Sequence, residues 1–468
     1  MIALLLLLPL AGSIWLFFAQ SRRLNETVPV MYAGLYLLIA LRLYRAPGAF
    51  TAYFKVDPLN VLFLLVLAVL FAGVAVYNWA FLRHDGGSVR SHAWYAMALL
   101  LFVFAMTGVI LSTHLALLWV FIEATTLASA YLIYFNRTPA ALEATWKYLF
   151  ICSIGISLAF VGIILLSMGL GHRESLFFED LYRAATTINP FWLKLSFAFI
   201  LVGLGTKIGF APVHAWLPDA HSESPSPISA LLSGALLNVG VLGVLRVSKM
   251  MELANLGWYA QTLLLLMGFL SLFVTAVYIG NMKNYKRMLA YSSIEHMGII
   301  AIGVGVGGIG VFAAMLHIVA HSLTKAALFL TAGNVLHRYG TKEIAAVRGL
   351  LRQDPLTGWL WLFSFAAIAG LPPFPLFLSE FLIVQALFAN GRFVLAGLFF
   401  LLLTVILAGM GKIVFQMSFG AGAEQAAATT TSAWEYAPQI VFLGLLLLMG
   451  AALPERLYML LQQAAAAF

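Results

Sequence analysis

Apolar runs of about twenty residues recur from one end of the chain to the other, separated by short polar or charged stretches. A run of that length crosses the roughly 30 Å hydrocarbon core of a bilayer as a helix. The runs are continuous rather than alternating, which argues against a transmembrane barrel. The pattern predicts an all-α integral membrane protein of about fourteen transmembrane helices, at 2–20, 28–44, 59–82, 93–111, 113–134, 147–170, 193–211, 227–248, 258–281, 287–306, 309–336, 358–385, 392–418 and 436–453. No soluble domain is predicted, the longest connections being 171–192 and 337–357, and 421–431 reads as a small-residue linker. The first run resembles a signal sequence but lacks a basic start, and Arg22 and Arg23 follow it, so it reads as an uncleaved first helix.

Prolines mark two interruptions. The seventh helix runs into Pro212 and Pro218, and the twelfth contains Pro372, Pro373 and Pro375. Proline removes a backbone donor and clashes with the preceding turn, so both helices are predicted to break. Backbone freed at membrane depth needs protein or cavity water as partner, and paired broken helices point to an ion site. The breaks lie five helices apart, with Lys207 before the first and Glu380 after the second. The same offset sets Glu123 against Glu295 and Lys147 against Lys325. The chain therefore divides into helices 1–3 (residues 1–90), a first unit (91–250, helices 4–8), a second unit (256–420, helices 9–13) and a C-terminal helix (432–468).

Composition narrows the functions. The chain of 468 residues is 63% hydrophobic and only 9% charged, with a mean hydropathy of +0.98. Its formal charge of +8 then suits anionic lipid headgroups rather than nucleic acid. About fourteen Lys and Arg fall on one predicted face, among them Arg22, Arg83, Lys147, Arg287 and Lys342. About ten fall on the other, including Lys55, Arg173 and Arg246. The bias places both termini outside the cytoplasm. The single cysteine, Cys152, rules out an intrachain disulfide and an all-cysteine iron–sulfur site, and reads as a small core residue. There is no phosphate loop, haem motif or dinucleotide fingerprint, so no cofactor is expected on this chain.

Ionisable residues inside a bilayer cost at least a few kcal/mol unless paired or wet, which makes each a functional candidate. Glu123, followed by Thr125 and Thr126, and Lys207, between Gly205 and Gly209, suit a carboxylate–lysine pair that moves a proton when broken and remade. A permanent structural ion pair is the alternative. His317, His321 and Lys325 stand at i, i+4 and i+8, a row about 12 Å long on one helix face. Such a row suits a proton relay, against a hydrogen-bonded core stripe. His-x3-His is also half of a zinc site, but no second Cys/His pair completes it, so no metal is expected. Glu380 is a natural terminus for the relay, or an interfacial carboxylate. Glu295 and His296, close after Lys286 and Arg287, read as a proton-uptake group or a snorkelling surface pair.

The stretch from Lys207 through Pro212, His214, Trp216, Pro218 and His221 to Pro227 and Ser229 resembles the antiporter-like membrane subunits of respiratory complex I, membrane-bound hydrogenases and Mrp-type cation/proton antiporters. Further agreement lies in Lys286–Gly298, in His317-x3-His321-x3-Lys325, and in Gly370-Leu-Pro-Pro373. The likeness spans roughly residues 90–420, and its pattern is most similar to hydrogenase-4 component F. The resemblance implies two inverted five-helix repeats and roles for six residues. Glu123 and Lys207 match the family's pair, Lys325 its central lysine, and Glu380 the terminal carboxylate of the M-type subunit. His317 and His321 match histidines along the same axis. Lys147, His214, Asn238, Glu295 and His296 are accessory candidates. Many relatives carry a basic residue near Asn238, where this chain offers only Ser233 and Asn238; asparagine hydrogen-bonds water but holds no proton at neutral pH. No long run follows the fourteenth helix, so the lateral helix of the L-type subunit is not expected.

The function implied is a proton-translocating subunit of a multi-subunit membrane oxidoreductase, hydrogenase-4-like or complex I-like, in the cell inner membrane. Its partners would be other membrane subunits, lipid, and a peripheral redox arm carrying iron–sulfur, nickel–iron or quinone cofactors. The rivals are an Mrp-type antiporter subunit, a proton channel of a non-redox complex such as a bicarbonate accumulator, and a membrane scaffold without an ion path.

Overall fold

The structure is a computed structural model that describes residues 1–46, 49–171, 175–420 and 431–468. Arg173 and residues 421–430 of the predicted linker lie outside the described residues. Among the described residues, thirteen helices are long and apolar enough to cross a membrane. A fourteenth crossing is split into Pro355–Ile368 and Pro375–Ala389, which completes the predicted count. Among the described residues the only sheet is the hairpin Ala49–Thr51/Phe54–Lys55.

Local chemistry sets many of the helix starts. Asp57 accepts from the Asn60 amide ahead of Pro58–His84. Thr138 caps Pro139–Leu170 in the same way, and Ser432 and Glu435 form a capping box at Ala433–Ala451. In each case a side-chain oxygen takes one of the amides that the first turn leaves unpaired.

The centre of the bundle consists of spans 8, 10 and 11: Ser226–Leu253, Tyr285–Val306 and Ile309–Tyr339. At least 94% of the apolar window of each is buried, against 28% for the thirteenth span, Phe393–Phe419. Polar side chains on these three helices therefore face protein rather than lipid. Span 8 is not regular: it takes a π turn at Leu232–Leu236, just before Asn238. Such turns recur at functional sites.

Both predicted interruptions are present. The seventh span stops at Ile208 and the chain resumes helix at Trp216–Glu223. Pro218 does not cause this break. It sits in the first turn of the second helix, where its missing donor costs nothing. The freed backbone is satisfied by protein: the Trp216 indole donates to the Thr206 carbonyl at 2.7 Å, and the Ala211 amide donates to Ser271 Oγ at 3.0 Å. The twelfth span breaks at 369–374, and Pro375 opens its second half.

Ion pairs join residues of the same predicted face: Arg22 and Arg83 with Glu26, Lys147 and Arg287 with Asp219, Lys342 with Glu223 on one side, and Lys55 with Glu179 and Arg246 with Asp57 on the other. Arg246 is 8% exposed and also donates to Asn60 at 2.6 Å. Asp57 thus both caps the third span and neutralises a buried guanidinium. Asp57→Ala should lower stability by about 2–4 kcal/mol, combining a lost cap with a partly stranded charge; thermal unfolding in detergent measures it. Beyond the fourteenth span the chain forms one more helix, Glu455–Ala466, which packs on the third and eleventh spans.

Candidate functional site

The ionisable residues gather in two buried clusters. The first lies among spans 5, 6 and 7 (Leu115–Ile133, Pro139–Leu170 and Pro190–Ile208). Lys207, wholly buried, donates to Thr126 Oγ1 at 2.9 Å and to the Tyr148 hydroxyl at 2.7 Å. Thr126 in turn donates to Glu123 Oε2 at 3.3 Å, and Ser153 to Glu123 Oε1 at 3.0 Å. Glu123 and Lys207 are therefore joined through a hydroxyl instead of the direct ion pair expected from sequence. A hydroxyl is donor and acceptor at once, so Thr126 can pass a proton between them. Tyr148, which packs against Trp216 at the helix break, accepts from Lys207 and donates to Ser129, whose own hydroxyl goes to the Thr125 carbonyl.

The second cluster lies among spans 10, 11 and 12. Lys325 donates to the Leu289 carbonyl at 2.7 Å and to the Ser292 hydroxyl. The His321 ring lies 5.3 Å from that of His296, tilted at 36°, and His296 Nδ1 meets His317 Nε2 at 2.9 Å. His317 Nδ1 reaches Ser379 Oγ, also at 2.9 Å. The next residue, Glu380, has a carboxylate oxygen within 4.8 Å of both the His296 and His317 ligand nitrogens.

The direction of these bonds can be deduced. Ser379 donates to the Leu376 carbonyl at 2.8 Å, so it accepts from His317 Nδ1–H. A neutral His317 then has a bare Nε2, which accepts from His296 Nδ1–H. The lone pair of His296 Nε2 is left without a hydrogen-bond partner, as are both ring nitrogens of His321. His296, His317 and Ser379 thus form a short hydrogen-bonded wire with one donor direction.

Several sequence expectations are corrected. Glu295 and His296 are not a surface pair: they are 7% and 1% exposed, because span 10 lies in the bundle centre. His296 is hydrogen-bonded directly to His317. The helical row His317, His321, Lys325 runs with His317 at the end nearer Glu380. Lys147 is exposed and held in a surface network with Glu143 and Asp219, whereas Lys325 is wholly buried. His214 is half-buried at the first break, its ring 6.3 Å from Tyr291. Between the clusters, Ser233 meets Ser293 at 2.8 Å and Asn238 donates to Ser322 at 2.8 Å. Sequence reasoning missed Thr126 as the bridge, and Tyr148 and Ser379 entirely. A hydroxyl three residues after Glu123 was the one available signal.

A cavity of about 260 Å³ opens beside Glu380, between spans 12 and 13. Glu295 and Glu380 are the carboxylates in its wall, and Phe377, Phe381 and Phe400 line its apolar mouth.

A membrane bundle with two broken helices, each flanked by buried proton-bearing groups, is the architecture of the antiporter-like subunits. The family described as "NADH:quinone oxidoreductase/Mrp antiporter, TM" matches residues 112–407, and the chain belongs to it. The chain is 35% identical over 432 residues to a hydrogenase-4 component F homolog of Methylacidiphilum infernorum, covering 89% of this chain and 90% of that one. Its fold is similar to a chain of the membrane-bound sulfane sulfur reductase, an archaeal respiratory membrane complex, with a TM-score of 0.90, 26% identity, and 99% and 97% of the two chains covered. A chain of respiratory complex I from Thermus thermophilus matches with a TM-score of 0.84, 26% identity, and coverage of 100% and 99%. The protein is thus a multi-pass, antiporter-like subunit of the kind found in multi-subunit membrane complexes.

Proposed function

We propose that this chain translocates protons as the pump subunit of a membrane oxidoreductase of the hydrogenase-4 or complex I kind. One observation carries the reading: titratable groups and hydroxyls line the buried interior of a bundle where each unpaired charge costs at least a few kcal/mol. A scaffold would gain nothing from them. Redox work in a partner would shift the Glu123–Thr126–Lys207 group between two arrangements. The charge change would be felt at Lys325, and the proton would pass through His321, His296 and His317 to Glu380. Serine and asparagine hydroxyl and amide groups, with water, would bridge the gap at Ser233 and Asn238. Iron–sulfur, nickel–iron or quinone chemistry would reside in a peripheral arm. The setting would be the inner membrane, and the Lys/Arg bias supports both termini on the non-cytoplasmic side. The family's inclusion of Mrp antiporters supports a second reading, cation/proton exchange without electron transfer.

The test is gentle extraction from the native membrane, identification of co-purifying chains by mass spectrometry, and reconstitution into liposomes with an internal pH dye. The expected result is redox subunits in the complex and donor-driven proton transport that Lys207→Met lowers by about tenfold or more. Sodium-dependent transport with no electron donor would instead establish the exchange reading.

A further inference from the structure

The second cluster also has the composition of a transition-metal site. His296 of span 10, His317 of span 11 and Glu380 of span 12 each offer one ligand atom, and the three atoms lie within 4.8 Å of one another. Within the sequence these residues are scattered over more than eighty positions, so no spacing motif announces them. His-x3-His points to the wrong partner, since His321 is not one of the three.

We infer that His296, His317 and Glu380 bind a zinc-type divalent ion with one coordination position left open. The donor set fits: two imidazoles and a carboxylate favour zinc, cobalt or nickel over the oxygen-seeking magnesium and calcium. Three protein ligands plus a solvent position is the pattern of accessible zinc sites. His296 and His317 are 1% and 0% exposed, so little bulk water competes with an ion for their nitrogens. The outer shell is present as well. Ser379 fixes the ring of His317 from the far side, at Nδ1, as outer partners of metal-bound histidines do. Two metal–nitrogen bonds of about 2.0 Å at a tetrahedral angle need their nitrogens about 3.3 Å apart. His296 Nδ1 and His317 Nε2 stand at 2.9 Å; a few tenths of an ångström of ring movement, with transfer of the His296 proton to Nε2, lets the ion replace the hydrogen bond between them. Glu380 reaches the site from the wall of the 260 Å³ cavity. The cavity's mouth is apolar, so an ion enters slowly and binding is read at equilibrium.

Binding stands apart from the translocation reading. Its consequence rests on that reading: an ion holding these lone pairs interrupts the wire and stops proton transfer.

The experiment uses the full chain, purified in detergent, stripped with a chelator and titrated with Co²⁺ alone, then with Zn²⁺. The expected result is one equivalent of Co²⁺ with the visible ligand-field bands of a nitrogen/oxygen site, displaced by Zn²⁺. His296→Gln and Glu380→Gln should each weaken binding by about tenfold or more, as should Ser379→Ala, which keeps all three ligands. His321→Gln should change it less than about twofold, since it supplies no ligand. Thermal melts with and without Zn²⁺ report binding only from folded chain, through the rise that a bound ligand produces. No saturable Co²⁺ binding, or binding indifferent to both His296→Gln and Glu380→Gln, overturns the inference. A chain that binds Co²⁺ here but moves no protons keeps the site and defeats the translocation reading.

Discussion

Replacing Lys325 with methionine should lower proton transport by about tenfold or more while leaving the folded protein as stable as before, or slightly more so. Lys325 is wholly buried. Its ammonium rests on a carbonyl and a hydroxyl, Leu289 and Ser292, and among the described residues it has no ion-pair partner within 4.0 Å. An unpaired buried cation is a cost to the fold, and methionine fills a similar volume without it. Ser292 already donates to the Leu289 carbonyl at 3.0 Å, so the substitution strands little. If Lys325 were a structural residue, the variant would melt earlier and still transport. Dye-monitored transport in liposomes and thermal melts of the same preparation separate the two, and a variant that transports normally removes Lys325 from the path.

Gly370→Ala should cut transport by a comparable factor, about tenfold, although it leaves every ionisable residue in place. Gly370 lies in the twelfth-span break with φ +61°, and a Cβ there would come within 2.3 Å of Glu380 Oε2. Without a side chain, Gly370 leaves the space that the Glu380 carboxylate occupies beside His296 and His317. Alanine adds a left-handed backbone penalty of about 1–2 kcal/mol and pushes the carboxylate away. Gly340 provides the control: its φ is +67°, but a Cβ there meets nothing within 4 Å. Gly340→Ala should lower the melting temperature to a similar degree and leave transport intact. Equal transport in the two variants would show that Glu380 need not stand where Gly370 places it.

The polar wire was only partly legible in the sequence. The spacing of His317, His321 and Lys325 placed all three on one helix face, and all three are buried. Periodicity could not say which of them faces the twelfth span. Glu380 meets the His317 end because the second half of that span begins at Pro375 and brings Ser379 and Glu380 level with His317. Likewise Lys147 and Lys207 look alike in sequence, each beside apolar residues. Lys147 stands near the start of its span, where its chain reaches Glu143 and Asp219, while Lys207 lies in the last turn before a break and is enclosed by Thr126 and Tyr148.

The sequence by itself determined the number of crossings, the two broken helices and the set of residues too costly to keep in lipid without a task. The bilayer imposes those rules locally, through run length, proline and charge. Only the tertiary structure decided that His296 is a central residue, that Thr126 stands between Glu123 and Lys207, and that three ligands from three helices converge. Helix periodicity fixes a side chain's direction about its own axis, whereas depth and neighbours depend on how fourteen helices pack against one another.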